Sequence, residues 1–457
     1  MSGNILFIGF FLLATAGQTS SLPAEIIPRM VFEQRTEQLI TKTTHISDNL
    51  SAIGQWAQYF FLSSKEESLK DPSLLIANAP EKLSVWTYGI SPDSFRWSLE
   101  SFQKRFPKTT VDTRFIANEK DYLDLLSSSF RQGTPPDIFL VSSTWFSEYA
   151  SLFVDAPEGF FSSEECHTVF FPFSCDAFER NGVMKGVPLF LDAPFLIVNR
   201  ALLADDRVAV AGKPETNWRG FLENRENFLK YTAKNNMTFA SFPLQEDSPL
   251  FSLFLFSLLA QAEADAEDIH ESGLEIFQLL DVITKTEKTQ NRVKQDAEES
   301  FLEGKTAILI GTNENLQNIL TELENTTKPK IEKANILALP LPQLDPKNPI
   351  IMGETRGLVI SRRSTHPTEA WALALFLAFQ ENQSFVIRQD GLFSARNDLF
   401  SEHELQALLS GAQNLPDTVL NLAFRKQLLE NGVRFLSGEI SAQEATDNVL
   451  SSLLETP

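Results

Sequence analysis

The chain reads as an α/β protein of more than one folding unit, with parallel sheets connected by crossover helices. From Lys82 onward, short β-rich runs alternate with amphipathic helical ones, the pattern such sheets leave in a sequence. At 457 residues the chain exceeds what a single core of ordinary size organises, so two or three units are expected. The balance of 43% hydrophobic and 22% charged residues is ordinary for a soluble globular protein. Phenylalanine is abundant, with 38 residues against 5 Tyr and 6 Trp. That is too many rings to line one ligand site, so most are expected in the cores.

At the N-terminus, Ile5 to Ala16 form a mainly apolar run without charge. It is shorter than the ~20 residues a spanning helix needs and matches the core of a signal peptide. Ala14-Thr15-Ala16 ahead of Gly17 supply an A-x-A cleavage pattern. Met1 to Asn4 hold no Lys or Arg, so residues 1–23 read either as a signal peptide or as an uncleaved N-terminal anchor. No cysteine lies within positions 1–24, which removes a lipid-modified cysteine as a tether. Residues 24–81 are polar and weakly amphipathic, with Leu39, Leu50, Ile53, Trp56, Phe60 and Phe61 spaced for a helix. They read as a helical spacer, or as an added helix packed on the body, that ends before Pro72.

The body begins with a strand over Leu83-Ser84-Val85-Trp86-Thr87. A helix follows over Ser94 to Phe106, with Phe95, Leu99, Phe102 and Phe106 on one face and Pro107 beyond its end. A second strand spans Thr110 to Phe115 and a second helix Asp121 to Phe130. After the turn Gly133-Thr134-Pro135-Pro136, Asp137 to Val141 form a third strand, with Trp145 and Phe146 just past its carboxyl end. Open α/β sheets bind their ligands outside that edge. Later strands are expected at Lys305 to Ile310 and Leu358 to Ser361, and a strongly apolar helix at Thr368 to Gln380.

A formal charge of -21 opposes nucleic-acid binding, which depends on Lys and Arg neutralising phosphates. Catalysis lacks a signature: there is no G-x-S-x-G, H-E-x-x-H, P-loop or G-x-G-x-x-G, and none of the five His has a recognisable partner pattern. The chain therefore reads as a non-enzyme with no cofactor. Cys166 and Cys175, nine positions apart, read either as a disulfide closing a small loop or as two thiols. Their spacing is not the C-x-x-C of a zinc site, so no metal is expected.

A series of segments then resembles the carbohydrate-type family of extracytoplasmic solute-binding proteins of ABC importers. The series opens with Lys82 to Gly89 and Pro136-Asp137-Ile138, and continues with Gly186 to Arg200 and Phe301 to Ile308. It closes with Leu339-Pro340-Leu341-Pro342 and with Gly353 to Ser361, followed through Ala370-Trp371 to Gly391-Leu392-Phe393. The order and separation of these pieces carry the resemblance, which covers about residues 82–455. It implies a two-lobed periplasmic-binding-protein fold of type II, each lobe a mainly parallel sheet flanked by helices, closing on its ligand by a hinge. Crossings between lobes are expected near Pro188 to Phe195, Leu339 to Pro342, and Phe393 to Asp398. The first lobe would be 82–191 plus 342–397, and the second 195–338 plus 399–457.

A sugar site needs carboxylates or amides for hydroxyls and rings for C–H faces. The resemblance places a ligand carboxylate at Asp192, in the first crossing, and a second at Glu246. It also points to Asn313, where relatives often carry a ring, to Glu354 and Arg356 on the cleft side of the Gly353 segment, where Arg356 reads either as a ligand contact or as a partner of Glu354 across a turn, and to Phe424, which reads either as a stacking ring or as a core residue. Tyr88 shares a strand face with Trp86 but lies nearer the carboxyl end, and so is the ring expected in the cleft. Trp145 reads either as a cleft floor or as a buried loop anchor. After Tyr88-Gly89 the chain has Ile90-Ser91-Pro92 where maltose binders carry charge, so maltose specificity is not implied. The resemblance implies an exported monomer that hands a small polar ligand, a sugar or oligosaccharide, to ABC permease subunits. A surface-tethered binding or sensor ectodomain of the same fold is the alternative.

Overall fold

The computed structural model describes residues 81–454 apart from 158, 233–236, 242–248, 263–273, 275, 283–293, 348, 391, 400–408, 410 and 415–421. The expected signal segment or anchor (1–23), the helical extension up to residue 80, and Glu246 lie outside the described residues.

Strand β1 (Glu81–Tyr88) pairs in parallel with β2 (Thr109–Ile116) over its whole length, and with β3 (Ile138–Ser142) at Val85 and Trp86. Helix α1 (Pro92–Arg105) links β1 to β2, and α2 (Glu119–Gln132) links β2 to β3. Asn118 caps α2 by accepting from the Asp121 amide, and Gly133 ends it with φ +77°, a left-handed value that glycine adopts without a Cβ clash. Ser142 caps α3 (Ser143–Tyr149), accepting from the Thr144 amide, so α3 starts directly at the carboxyl end of β3.

The sheet is completed by β6 (Gly186–Asp192), β12 (Glu354–Ile360) and β13 (Phe393–Ser394), in the order β13-β6-β12-β3-β1-β2. A second sheet holds β7 (Phe195–Asn199), β8 (Thr238–Ser241), β9 (Thr306–Gly311) and β10 (Ile336–Pro340), in the order β10-β7-β9-β8. The expectation of mainly parallel sheets needs correction, because both are mixed. β12 runs antiparallel to β3 and β6, β13 antiparallel to β6, and β7 antiparallel to β9 and β10; β8–β9 is parallel. The reason lies in the connections. β6 leaves the first sheet at the edge where β1 and β3 end, and β12 re-enters at that same edge, so it must run the opposite way.

Only Ala193 and Pro194 separate β6 in the first sheet from β7 in the second. The chain returns after β10 and reaches β12 through Leu341, Leu344, Ile350 and Met352, which pack with the second sheet. On that path β11 (Ile351–Met352) pairs in parallel with β14 (Ala412–Gln413). After β13 the chain leads to α12 (Leu422–Leu436) and α13 (Ala442–Leu454), whose Leu428, Phe435, Ala445 and Val449 also pack in the second core.

Phenylalanine fills both cores. Phe102, Phe146, Phe153 and Phe376 share the first core with Phe139 of β3, and Phe221, Phe228 and Phe254 share the second with Phe239 of β8. The apolar helix expected from Thr368 is α10 (Pro367–Leu377), with Trp371 wholly buried; it breaks at Ala378 before α11 (Gln380–Asp390). Helices α4 (Ser163–Val169) and α5 (Pro172–Phe178) are joined by a Cys166–Cys175 disulfide, which decides between the two readings of the cysteines. Beside α5, a Cβ added to Gly357 would lie 2.7 Å from both the Phe178 ring and the Val187 carbonyl, so a larger residue at this strand position forces its neighbours to shift.

Candidate functional site

Because β1 and β3 end where β12 begins, polar residues from separate parts of the chain converge on one edge of the first sheet. Glu354 stands in register opposite Asp192, and Arg356 opposite both Ser142 and Phe190. Directly opposed residues on antiparallel strands share a face with Cβ atoms about 5 Å apart. Two carboxylates are therefore neighbours at the point where the chain leaves for the second sheet. Arg356, two residues further along β12, lies on the same face. Its guanidinium carbon is 5.9 Å from the Tyr88 ring centre and 5.8 Å from that of Phe190.

Hydrogen bonds organise the edge. The Ser142 hydroxyl donates to Glu354 Oε1. Tyr88 donates its phenolic proton to Glu119 Oε1 at 3.2 Å, and the Trp145 indole N–H donates to the same oxygen at 2.8 Å. Asp192 Oδ1 accepts from the Ala193 amide at 3.0 Å and from the Asn313 amide at 3.1 Å. Asn313 opens α9 (Asn313–Asn325) straight after β9, so the positive end of a helix built on the second sheet faces a carboxylate of the first. The Asn313 side-chain amide also donates to the Leu191 carbonyl at 2.9 Å, while its buried oxygen meets no donor among the described residues.

Asp192 is only half-exposed, and its charge is poorly solvated. Burial pushes its carboxyl up from the ordinary 3.8 to about 7; the Asn313 amide and Arg356 oppose the rise, Glu354 adds to it, and the Ala193 amide opposes it. Burial likewise holds the Tyr88 phenol well above its usual range, reinforced by Glu119 and Glu354.

The structure thus brings together six of the eight residues expected at the site: Asp192, Tyr88, Trp145, Asn313, Glu354 and Arg356. Tyr88 and Trp145 are 5% and 3% exposed, so their rings lie beneath the half-buried layer of Asp192, Glu354, Arg356 and Glu119. Glu246 falls outside the described residues, and Phe424 lies on α12 with its side chain likewise outside them. Sequence reasoning missed Glu119 and Ser142. The available signal was positional: each sits at the junction from the carboxyl end of a strand into a helix, where a capping residue marks the turn.

The arrangement can accept protons from several hydroxyl or amine groups at once, with one cation among its acceptors. Among the described residues no group of three or more His, Cys, Asp or Glu is placed to hold a metal ion, and no helix is long and apolar enough to cross a membrane.

The sequence model of the bacterial extracellular solute-binding protein family matches residues 77–384. Among solved structures, the chain resembles maltose-bound MalE3 of T. maritima, with a TM-score of 0.66 at 17% identity over 82% of this chain and 99% of that one. The sugar-binding protein MalE of Xanthomonas citri gives 0.66 at 16% identity, over 82% and 98%. The GacH receptor of Streptomyces glaucescens, solved unliganded and with acarbose, gives 0.65 at 15% identity, over 83% and 100%. At these identities the likeness shows a shared fold, the two-lobed one.

Proposed function

The chain belongs to the bacterial extracellular solute-binding protein family, and we propose that it captures a sugar or oligosaccharide between its two lobes and delivers it to an ABC importer. The observation that carries this reading is the Asp192–Asn313 contact, which ties the last residue of β6 in one sheet to the first turn of α9 on the other, within a group of hydrogen-bonding side chains. A guest held there touches both lobes, and its binding energy favours the closed arrangement over the open one. In this reading the lobes are built around the two sheets, with crossings at Ala193-Pro194, between Pro340 and Glu354, and after Ser394. Asp192 and Glu354 accept guest hydroxyls, Arg356 donates to a guest oxygen, and Tyr88, Trp145 and Asn313 form the wall behind them. Glu246 and Phe424 contribute from the second lobe.

Three lines support it. The family is one of binding proteins, the sugar-binding MalE of Xanthomonas citri has this fold, and another structure of similar fold (TM-score 0.62) is of a solute-binding protein bound to α-D-tagatose. Export through the N-terminal segment and action as a monomer, free or held at the membrane by that segment, complete the proposal.

A thermal-shift screen tests it, using glucose, maltose, maltotriose, xylobiose and cellobiose beside amino acids and polyamines. A specific ligand at ~100 Kd stabilises by about 2.7 kcal/mol, a visible rise in Tm. At least one sugar is expected to give that rise. A rise with amino acids or polyamines and none with sugars overturns the substrate class.

A further inference from the structure

Glu119 has no role in the site as read from sequence, yet it lies at the sheet edge and is held unusually firmly for a surface glutamate. It is half-buried, in the first turn of α2, directly after the Asn118 cap. Oε1 receives both the Tyr88 phenol and the Trp145 indole, donors 31 and 26 residues distant in sequence. The phenol belongs to β1 and the indole to α3, so one oxygen atom joins three elements. Both donors are buried. Tyr88 is packed further against Tyr122, with ring centres 4.7 Å apart, and Trp145 against Tyr149 at 5.9 Å. Among the described residues no donor reaches Oε2.

A carboxylate has about four lone-pair positions, and one oxygen here takes two donors, at 2.8 and 3.2 Å. The other is then fixed in space at no further entropic cost on binding, which is what a preorganised recognition group requires. The two rings are left with little to offer a polar guest themselves. The indole has spent its only donor, and the phenol retains only acceptor capacity.

We propose that Glu119 is a specificity-determining ligand contact, its Oε1 held by Tyr88 and Trp145 so that Oε2 accepts a proton from a donor group of the guest. The proposal rests on the sugar-binding reading above. It makes the edge a wall of three carboxylates, from Glu119, Asp192 and Glu354, which favours guests rich in hydroxyl or amine donors.

The test uses the full chain and the variants Glu119→Gln and Glu119→Leu. Glutamine keeps an oxygen for the two rings but presents an amide donor where the guest needs an acceptor. Its Tm without sugar is expected within about 2 °C of wild type, with affinity for the best binder among the five sugars reduced at least tenfold. In protein labelled with 15N-tryptophan, the Trp145 indole resonance, assigned by Trp145→Phe, is expected to move upfield in Glu119→Leu and much less in Glu119→Gln. Unchanged affinity in Glu119→Gln, or an indole resonance unmoved in Glu119→Leu, overturns the proposal and leaves the sugar-binding reading standing. Failure of the wild-type protein to bind any of the five sugars overturns both.

Discussion

The amide of Asn313 donates to Oδ1 of Asp192 at 3.1 Å, joining the first turn of α9 to the last residue of β6 where the chain passes between the two sheets. A carboxylate so placed does two things. In the proposed reading it gives a guest an acceptor, and its protonation is linked to the contact between the two sheets.

The protonation is measurable as stability. The Asp192 carboxyl is raised from 3.8 to about 7 by burial, so between about pH 4 and 7 the folded protein holds a proton that the unfolded chain has released. Its contribution is fully present below pH 4 and is lost as pH rises through 7. Asp192→Asn keeps an oxygen for the Asn313 and Ala193 amides and removes the titration. The Tm of wild type minus that of the variant is expected to fall from pH 4 to pH 7 and level off above, with the variant melting higher at pH 8. A difference that stays flat or rises with pH contradicts this.

The Cys166–Cys175 disulfide joins α4 to α5, both cysteines fully buried. Its neighbours include the segment after β13: the Phe171 amide donates to the Ala395 carbonyl at 3.0 Å, and Phe170 bridges to Arg396. Closing so short a loop contributes about 2–4 kcal/mol. The unfolding free energy of wild type from denaturant titration is expected to fall by that amount under a thiol reductant, with a lower midpoint, and the Cys166→Ala/Cys175→Ala variant is expected to show no response to the reductant.

Gly357 tests the packing beneath the site. A methyl there would lie 2.7 Å from the backbone carbonyl of Val187, which cannot swing aside, and 2.7 Å from the Phe178 ring. Gly357→Ala is expected to cost about 1–3 kcal/mol. At Gly438, with φ +79° and no atom within 4 Å of the added carbon, Gly438→Ala meets only backbone strain, about 1 kcal/mol. Chemical denaturation of the two variants side by side separates the causes.

Local signals made the first half of the body legible in sequence. The β1, β2 and β3 runs and the two helices between them are legible from short β-rich stretches, 3.6-residue spacing and the Gly133 turn, and each lies within two residues of its observed bounds. Direction was not legible: residue pattern alone carries no sign of whether β12 runs with or against β3, because that follows from which edge the chain re-enters. The expected strand at Leu358 to Ser361 begins earlier, at Glu354, since its first residues are the polar ones that face Asp192 and Ser142. The site divides in the same way. Asp192, Glu354 and Arg356 were reached through the family's segment order, whereas Glu119 matters only through partners 31 and 26 residues away, a relation that no local pattern records.

The most direct measurement is small-angle scattering of the full chain with and without a saturating concentration of the sugar that most raises its Tm. The account predicts a smaller radius of gyration with sugar for wild type. For Asp192→Ala it predicts affinity lower by roughly tenfold to a hundredfold, from loss of a charged acceptor worth about 1.5–3 kcal/mol per hydrogen bond, and no contraction at the wild-type concentration. An unchanged radius in a wild-type sample shown to be saturated, or full binding by Asp192→Ala, would contradict it.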